Sequence, residues 1–258
     1  MGQKTKQTTE LANKERRSFL GKAAVATASM TLAPGVIFMG MAEAKPPGKP
    51  ADEKASDKNR WGLLIDTNKC VDDCDACVQA CNFENGLTTI HGPETDAQWI
   101  RKVKIRNKAT KKISYLPLLC QHCEYAPCID VCPTGASFRR KDGIVLVDKH
   151  ICIGCRYCMM ACPYKARSFV HETITNQVPD VPRGKGTVEA CTMCVHKIDR
   201  GDGSTACVDA CKKYANGAII FGDLKDPNSN IAKELTTYQS TQLRPDLRLN
   251  TGVRYRGI

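Results

Sequence analysis

Sixteen cysteines constrain this chain more than any other feature, because they fall into four tight groups of four. The groups are Cys70, Cys74, Cys77 and Cys81; Cys120, Cys123, Cys128 and Cys132; Cys152, Cys155, Cys158 and Cys162; and Cys191, Cys194, Cys207 and Cys211. Proline follows Cys132 and Cys162 directly. The third group runs Cys-x2-Cys-x2-Cys-x3-Cys-Pro, a spacing with a geometric meaning. Three cysteines on a short loop can point their sulfurs at three irons of one cubane. The fourth, about one helical turn further on and facing away, ligates a different cluster. Four groups make two such reciprocal pairs, so the chain is expected to hold four [4Fe–4S] clusters. Spacing gives the three-plus-one logic but leaves open which group partners which.

Charge agrees with buried anionic clusters. The formal net charge is +11 over 258 residues, and the six Lys/Arg and three acids of residues 1–44 account for +3 of it. Each oxidised cubane with four thiolates carries about −2, so four of them offset the remaining +8. The basic residues are thereby explained without a nucleic-acid partner, and none is expected. Aromatic residues make up only 6% of the chain, which implies a thin apolar core stapled by its metal sites.

The N-terminus bears on compartment. Glu15-Arg16-Arg17-Ser18-Phe19-Leu20-Gly21-Lys22 resembles a twin-arginine export signal, followed by an apolar stretch from Ala23 to Met41 that Pro34-Gly35 interrupts. Ala42-Glu43-Ala44 fits a small-x-small cleavage pattern, so residues 1–44 read as a signal peptide. The resemblance implies use of the twin-arginine export machinery, which carries proteins already folded around their cofactors, and a periplasmic mature chain. The competing reading is an uncleaved anchor, although the Pro-Gly break and the many small residues make that stretch weakly hydrophobic. After residue 44 no apolar run reaches spanning length, so membrane association is expected through partner subunits.

The pattern along the rest of the chain is strand, ligand loop and short helix, repeated. Residues 45–59 form a Pro- and Lys-rich leader. Strands are expected at Trp61–Asp66, at Ile100–Arg106 paired with Lys112–Leu116, at Gly143–Asp148 and at Ala218–Phe221. Helical pieces should begin near the third cysteine of each group and stop at the prolines. The fold class is therefore α+β: tandem bacterial-ferredoxin-like units with short strands and helices around four [4Fe–4S] clusters, and irregular loops. Residues 60–222 form a double ferredoxin-like domain, its outer pair built from 60–119 with 185–222 and its inner pair from 120–170. Residues 223–258 are read as a C-terminal arm.

CQHCEYAPCIDVCPTGASFRRKDGIV at 120–145, DKHICIGCRYCMMACPYKARSF at 148–169 and FGDLKDPNS at 221–229 carry a family resemblance. The chain resembles the four-cluster ferredoxin-like iron–sulfur subunits of the dimethyl-sulfoxide-reductase and formate-dependent nitrite reductase complexes. Within that family it looks most like the iron–sulfur subunit of the sulfite-reductase-associated transmembrane complex, the DsrO type. Carried over by position, the resemblance implies four ligand sets. They are Cys70, Cys74, Cys77 and Cys211; Cys191, Cys194, Cys207 and Cys81; Cys120, Cys123, Cys128 and Cys162; and Cys152, Cys155, Cys158 and Cys132. It also implies electron transfer without a catalytic site of the chain's own. The implied partners are a multispanning quinone-interacting membrane subunit and a periplasmic cytochrome c or another redox subunit. Two departures fall in the outer pair: three residues separate Cys70 from Cys74 where two are usual, and Lys212 replaces the proline after Cys211.

A rival reading keeps metal but changes it. Cys191, Cys194, Cys207 and Cys211, taken alone, would suit a four-cysteine zinc site, giving a mixed iron–sulfur and structural zinc interaction protein. Asp72, Asp73 and Asp75 crowd the first group whereas Arg156, Lys165 and Arg167 surround the third, so the first is expected to hold the lower-potential cluster. Of the histidines, His122 lies between two ligands and is a candidate hydrogen-bond donor to cluster sulfur.

Overall fold

The computed structural model describes residues 53–175 and 177–258. The twin-arginine segment, its cleavage pattern and the start of the leader lie outside the described residues. At the centre is a three-stranded sheet in the order β8-β1-β9, with β1 at Trp61–Asp66, β8 at Ile219–Asp223 and β9 at Val253–Arg256. β1 runs antiparallel to β8, Leu63 facing Phe221, and parallel to β9, Leu63 facing Val253. Every residue of β1 is buried, which suits a central strand that reads as one apolar run ending in Asp66. Three two-stranded ribbons complete the strands: β2 (Ile100–Arg106) with β3 (Ile113–Leu119), β4 (Ser137–Arg139) with β5 (Val145–Val147), and β6 (Ser168–Phe169) with β7 (Val188–Glu189).

The helices are short and sit where the cysteines do. They are α1 (Ala76–Glu84), α2 (Pro127–Asp130), α3 (Tyr157–Ala161), α4 (Val195–Asp199), α5 (Ala206–Tyr214) and α6 (Asn230–Thr237). Cys77, Cys128, Cys158 and Cys207, the third cysteines of their groups, all lie in the first turn of α1, α2, α3 and α5. α2 and α3 end short of Cys132-Pro133 and Cys162-Pro163, because proline supplies no N–H for a further turn. α1 packs on α5, and α2 on α3. Each helix pair is the backbone of one ferredoxin-like half.

The tail differs from the expected arm. Residues 253–256 are a strand of the central sheet, and Val253 and Tyr255 are fully buried. Tyr255 donates its hydroxyl hydrogen to the Pro117 carbonyl at 3.0 Å and accepts from Gln121 Nε2 at 3.0 Å. The segment before it pins the second cysteine loop: Glu124 N–H donates to Leu249 O, and Gly252 N–H to Gln121 O. A side-chain lattice holds the same region, with Arg60 paired to Glu124 at 2.9 Å and Asn250 donating to Glu124 at 2.6 Å. α6 belongs to this segment too, capped by Ser229, whose hydroxyl accepts from Ala232 N–H at 3.2 Å.

Candidate metal centres

Four cavities among the described residues are each lined by four cysteines. The first is lined by Cys70, Cys74, Cys77 and Cys211. The second is lined by Cys81, Cys191, Cys194 and Cys207. The third is lined by Cys120, Cys123, Cys128 and Cys162. The fourth is lined by Cys132, Cys152, Cys155 and Cys158. Each set takes three cysteines from one group and one from another, and none of the sixteen is in a disulfide. Each set is four sulfurs among mostly apolar neighbours, which argues for four guests of one kind.

Helix geometry explains how one group serves two cavities. Cys77 and Cys81 both lie on α1 and both Cys207 and Cys211 on α5, four residues apart. Residues i and i+4 share a helix face, so the fourth cysteine does not face away from the third; it is displaced about 6 Å along the axis. The two cavities are stacked along the packed helices.

The lone cysteine of each cavity receives an N–H from the turn that follows it. Ser137 N–H donates to Cys132 Sγ at 3.4 Å, Ala166 N–H to Cys162 at 3.5 Å and Ala218 N–H to Cys211 at 3.1 Å. For Cys81 the donor is the amide of Asn85, at 3.5 Å. Further donors are Met193 N–H to Cys191, Val188 N–H to Cys152 and Arg167 Nη2 to Cys128, at 3.4, 3.5 and 3.0 Å. Sulfur accepts such bonds well only as thiolate.

The protein alone does not stabilise those thiolates. Burial pushes the thiol of Cys77 up to about 12, helped by the neighbouring Cys207 and Cys211. Burial likewise carries Cys120 and Cys194 to about 12, and Cys70 to about 11. Cys132 is the exception: burial pulls its pKa up, but hydrogen bonds from Ser137 and Thr134 outweigh that and bring it to about 7. Four clustered sulfurs in an apolar cavity therefore require bound cations to ionise, and the soft, four-sulfur donor sets suit iron–sulfur clusters.

The zinc arrangement fares differently. One zinc needs its four sulfurs about 2.3 Å from a single point. Cys211, however, lines a different cavity from Cys191, Cys194 and Cys207. Among the described residues no three His, Cys, Asp or Glu side chains converge on a single-ion site.

Exposure orders the cavities. All four cysteines of the second and third are buried. In the first, Cys70 and Cys74 are half-buried; in the fourth, Cys132 and Cys152 are half-buried and Cys155 is exposed. The first and fourth cavities are therefore the two that solvent reaches. Tyr255 is close enough to feel both Cys191 of the second cavity and Tyr164 of the third.

The surroundings of the fourth cavity depend on a close backbone approach. Gly154 sits at φ +70°, where a Cβ would overlap the Gly186 carbonyl oxygen and meet Phe169 at 3.1 Å. If each cavity holds one four-iron cluster, Gly154→Ala is expected to empty this one and leave about twelve irons of sixteen. Gly135→Ala, at φ +69° but with nothing within 4 Å, carries only the backbone strain of about 1–2 kcal/mol and should keep all sixteen. Iron and labile-sulfide analysis separates the two variants.

Of the other singled-out residues, Trp99 lines the second cavity, Arg167 the third and Arg156 the fourth. His122 is buried, its Nδ1 accepts from Val145 N–H at 3.0 Å, and its Nε2 has no partner among the described residues. Burial, with Arg167 nearby, lowers its pKa to about 3, so the ring stays neutral. His196 pairs with Glu84 at 2.7 Å. Trp61 stacks on Phe221 at 5.3 Å, and Trp99 is buried in the main core. Asp72, Asp73 and Asp75 are solvent-facing. Of the three cations noted around the third group, Arg156 is exposed and lies over Phe169, Lys165 is exposed, and Arg167 alone is buried. The donors Asn85 and Ser137 had no distinguishing signal in the sequence.

Comparison with known proteins agrees with this architecture. Two family models described as 4Fe-4S dicluster domains match residues 111–224 and 69–136. The chain is 40% identical to the Hdr-like menaquinol oxidoreductase iron-sulfur subunit 1 of Archaeoglobus fulgidus, over 93% of this chain and 97% of that protein. It is 36% identical to a tetrathionate reductase subunit of Salmonella typhimurium, over 94% and 88% of the two chains. It is 37% identical to protein NrfC of Escherichia coli K12, over 68% and 71%. The chain belongs to the ferredoxin-like iron–sulfur subunits of the dimethyl-sulfoxide-reductase and formate-dependent nitrite reductase type. It is an electron-transfer subunit whose two dicluster domains imply four [4Fe–4S] clusters, and catalysis in such complexes rests with other subunits.

Proposed function

We propose that the four cavities hold the four clusters through the cysteine sets that line them, and that the chain relays electrons along the row they form. The partners at its ends are a quinone-interacting membrane subunit and a second redox protein, on the periplasmic side. The observation that carries this reading is the division of sixteen cysteines into four cavities of four, two with every cysteine buried and two partly exposed. A bound [4Fe–4S] cluster supplies a one-electron redox centre with a potential set by its surroundings. The residues do the rest. Thiolates hold iron, backbone and Asn85 N–H groups offset sulfur charge, and apolar walls exclude water from the middle of the row. At the fourth cavity Ile153, Tyr157 and Met160 are exposed beside Cys155, an apolar rim suited to a partner.

The outer pair, from 60–119 with 185–222, and the inner pair, 120–170, act as two paired halves, with 223–258 closing the sheet between them. Location and leader rest on the sequence: the twin-arginine pattern of residues 15–22 and the Ala42–Ala44 motif support export of a chain from which 1–44 are removed and whose 45–59 form a leader. Among the described residues no helix is long and apolar enough to cross a membrane, which supports attachment through a partner.

Anaerobic purification of the full chain should yield brown protein with about sixteen irons and as many labile sulfides per chain. A preparation with twelve irons and one zinc would instead favour the mixed iron–sulfur and zinc protein, and an iron-free one would end the proposal.

A further inference from the structure

We propose that Arg167 is the shared counter-cation of the third and fourth cavities and raises the reduction potentials of the two clusters held there; this rests on the four-cluster reading above. The guanidinium is buried, 6% exposed. Its Nη2 donates to Cys128 Sγ at 3.0 Å, in the third cavity. Its Nη1 donates to Ser137 Oγ at 2.8 Å, and the N–H of the same serine donates to Cys132 Sγ at 3.4 Å, in the fourth. One planar fork therefore touches a ligand of one cavity and the residue that holds a ligand of the next.

What Arg167 lacks is as informative. Arg183, the other buried arginine, is neutralised by Glu189 at 2.6 Å. Arg140 is held between Asp142 and Asp199, each at 2.7 Å. Among the described residues no carboxylate stands within ion-pair distance of Arg167, and the anionic groups acting on it are Cys128, Cys120 and Cys158. A buried charge left unpaired costs several kcal/mol, so the guanidinium is stable there only against charged sulfur. The same attraction, in a low-dielectric interior, favours the added electron on either neighbouring cluster.

Among the described residues the outer pair has no unpaired equivalent: Lys197, the cation acting on Cys194 of the second cavity, is paired with Asp209 at 3.2 Å. The sulfurs of that pair take hydrogen bonds from Ala218 N–H, Met193 N–H and Asn85, and Thr205 Oγ1 lies 3.2 Å from Cys207; all of these groups are neutral. Lys102, beside the first cavity, directs its ammonium at the carbonyls of Val71, Asp72 and Cys74. Lys149, near the fourth, is one step removed, donating to Val188 O at 2.8 Å. The inner pair is therefore the half of the row that fills with electrons first.

The test is an EPR-monitored redox titration of the full chain and of Arg167→Met, Arg167→Lys and Ser137→Ala, each with its iron counted. The expected result for Arg167→Met at full iron is a loss of at least tenfold in the reduction equilibrium of both inner clusters, about 59 mV for a one-electron couple, with the outer pair unmoved. Arg167→Lys, which keeps the charge but not the fork, should fall between; Ser137→Ala, which keeps the N–H to Cys132 and removes the hydroxyl linking the guanidinium to that side of the site, should move the fourth-cavity cluster by less than Arg167→Met does. Unchanged inner potentials in Arg167→Met, or in Arg167→Lys where the Met variant loses iron, would overturn the inference. Loss of inner-pair iron from both Arg167 variants would also overturn it, by making the residue an assembly element. Iron-free wild-type protein would overturn the four-cluster reading instead, before any variant is compared.

Discussion

Removing iron from the reduced protein with a chelator is expected to unfold the described chain as a whole, with loss of far-UV circular dichroism and of protease resistance. Eleven of the sixteen cysteines are buried, and ten of them, all but Cys194, form part of one continuous core with Leu63, Ile65, Trp99 and Tyr255. The remaining apolar content is small, and the second core cluster contains only Trp61, Ile144, Met193 and Ile198 as fully packed members. Structural zinc sites contribute about 10–16 kcal/mol to small domains, against a net stability of about 5–15 kcal/mol for an ordinary domain. If one cluster is worth even a comparable amount, it matches everything the rest of the fold supplies, and four are removed together. Thiols such as Cys77 and Cys120, which burial pushes up to about 12, are left protonated in apolar cavities without their metal. An apoprotein that kept a cooperative thermal transition would show that the side-chain core suffices.

The ligand chemistry was legible in the sequence because cluster binding is local. A three-cysteine loop followed by a helix turn fixes spacing within about a dozen residues, and Cys77, Cys128, Cys158 and Cys207 sit where that spacing puts them, at helix starts. β1 was legible for a similar reason: Trp61–Asp66 is an apolar run that only a doubly covered strand can bury. Non-local pairings left weaker traces. β9 lies about 190 residues from β1 in the chain, its residues alternate Val253, Arg254, Tyr255, Arg256, and two arginines in four disguised a strand whose Val253 and Tyr255 are fully buried. Arg167 was visible as one of three cations near a cluster loop, but nothing in the order of residues separates it from Arg156 and Lys165. Burial does, and burial depends on Ser137 and Cys128 arriving from another part of the chain.

Ending the chain at Tyr238 is expected to abolish production of iron-loaded protein, although every cysteine is retained. Were residues 239–258 an arm draped over a finished domain, their loss would expose surface and change little. They instead supply β9, which pairs with β1 along Leu63–Asp66 and leaves that face of the central strand unbonded when removed. Val253 and Tyr255 are fully buried, and emptying sites of that kind costs about 2–5 kcal/mol each before any lost hydrogen bond is counted. The bonds lost include Tyr255 to Pro117 and Gln121, Glu124 N–H to Leu249 O, and Tyr164 hydroxyl to Leu243 O at 3.0 Å. Those contacts hold Gln121–Tyr125, the loop between Cys120 and Cys128, and Tyr164, so the third cavity loses its frame along with the sheet. The sum reaches the net stability of a typical domain. Tyr255→Phe separates the two contributions: it keeps the buried ring and removes only the hydroxyl bonds, so it should fold, bind about sixteen irons, and melt a few degrees lower. A truncated chain isolated brown with full iron would instead place the stability of the sheet in β1 and β8 alone.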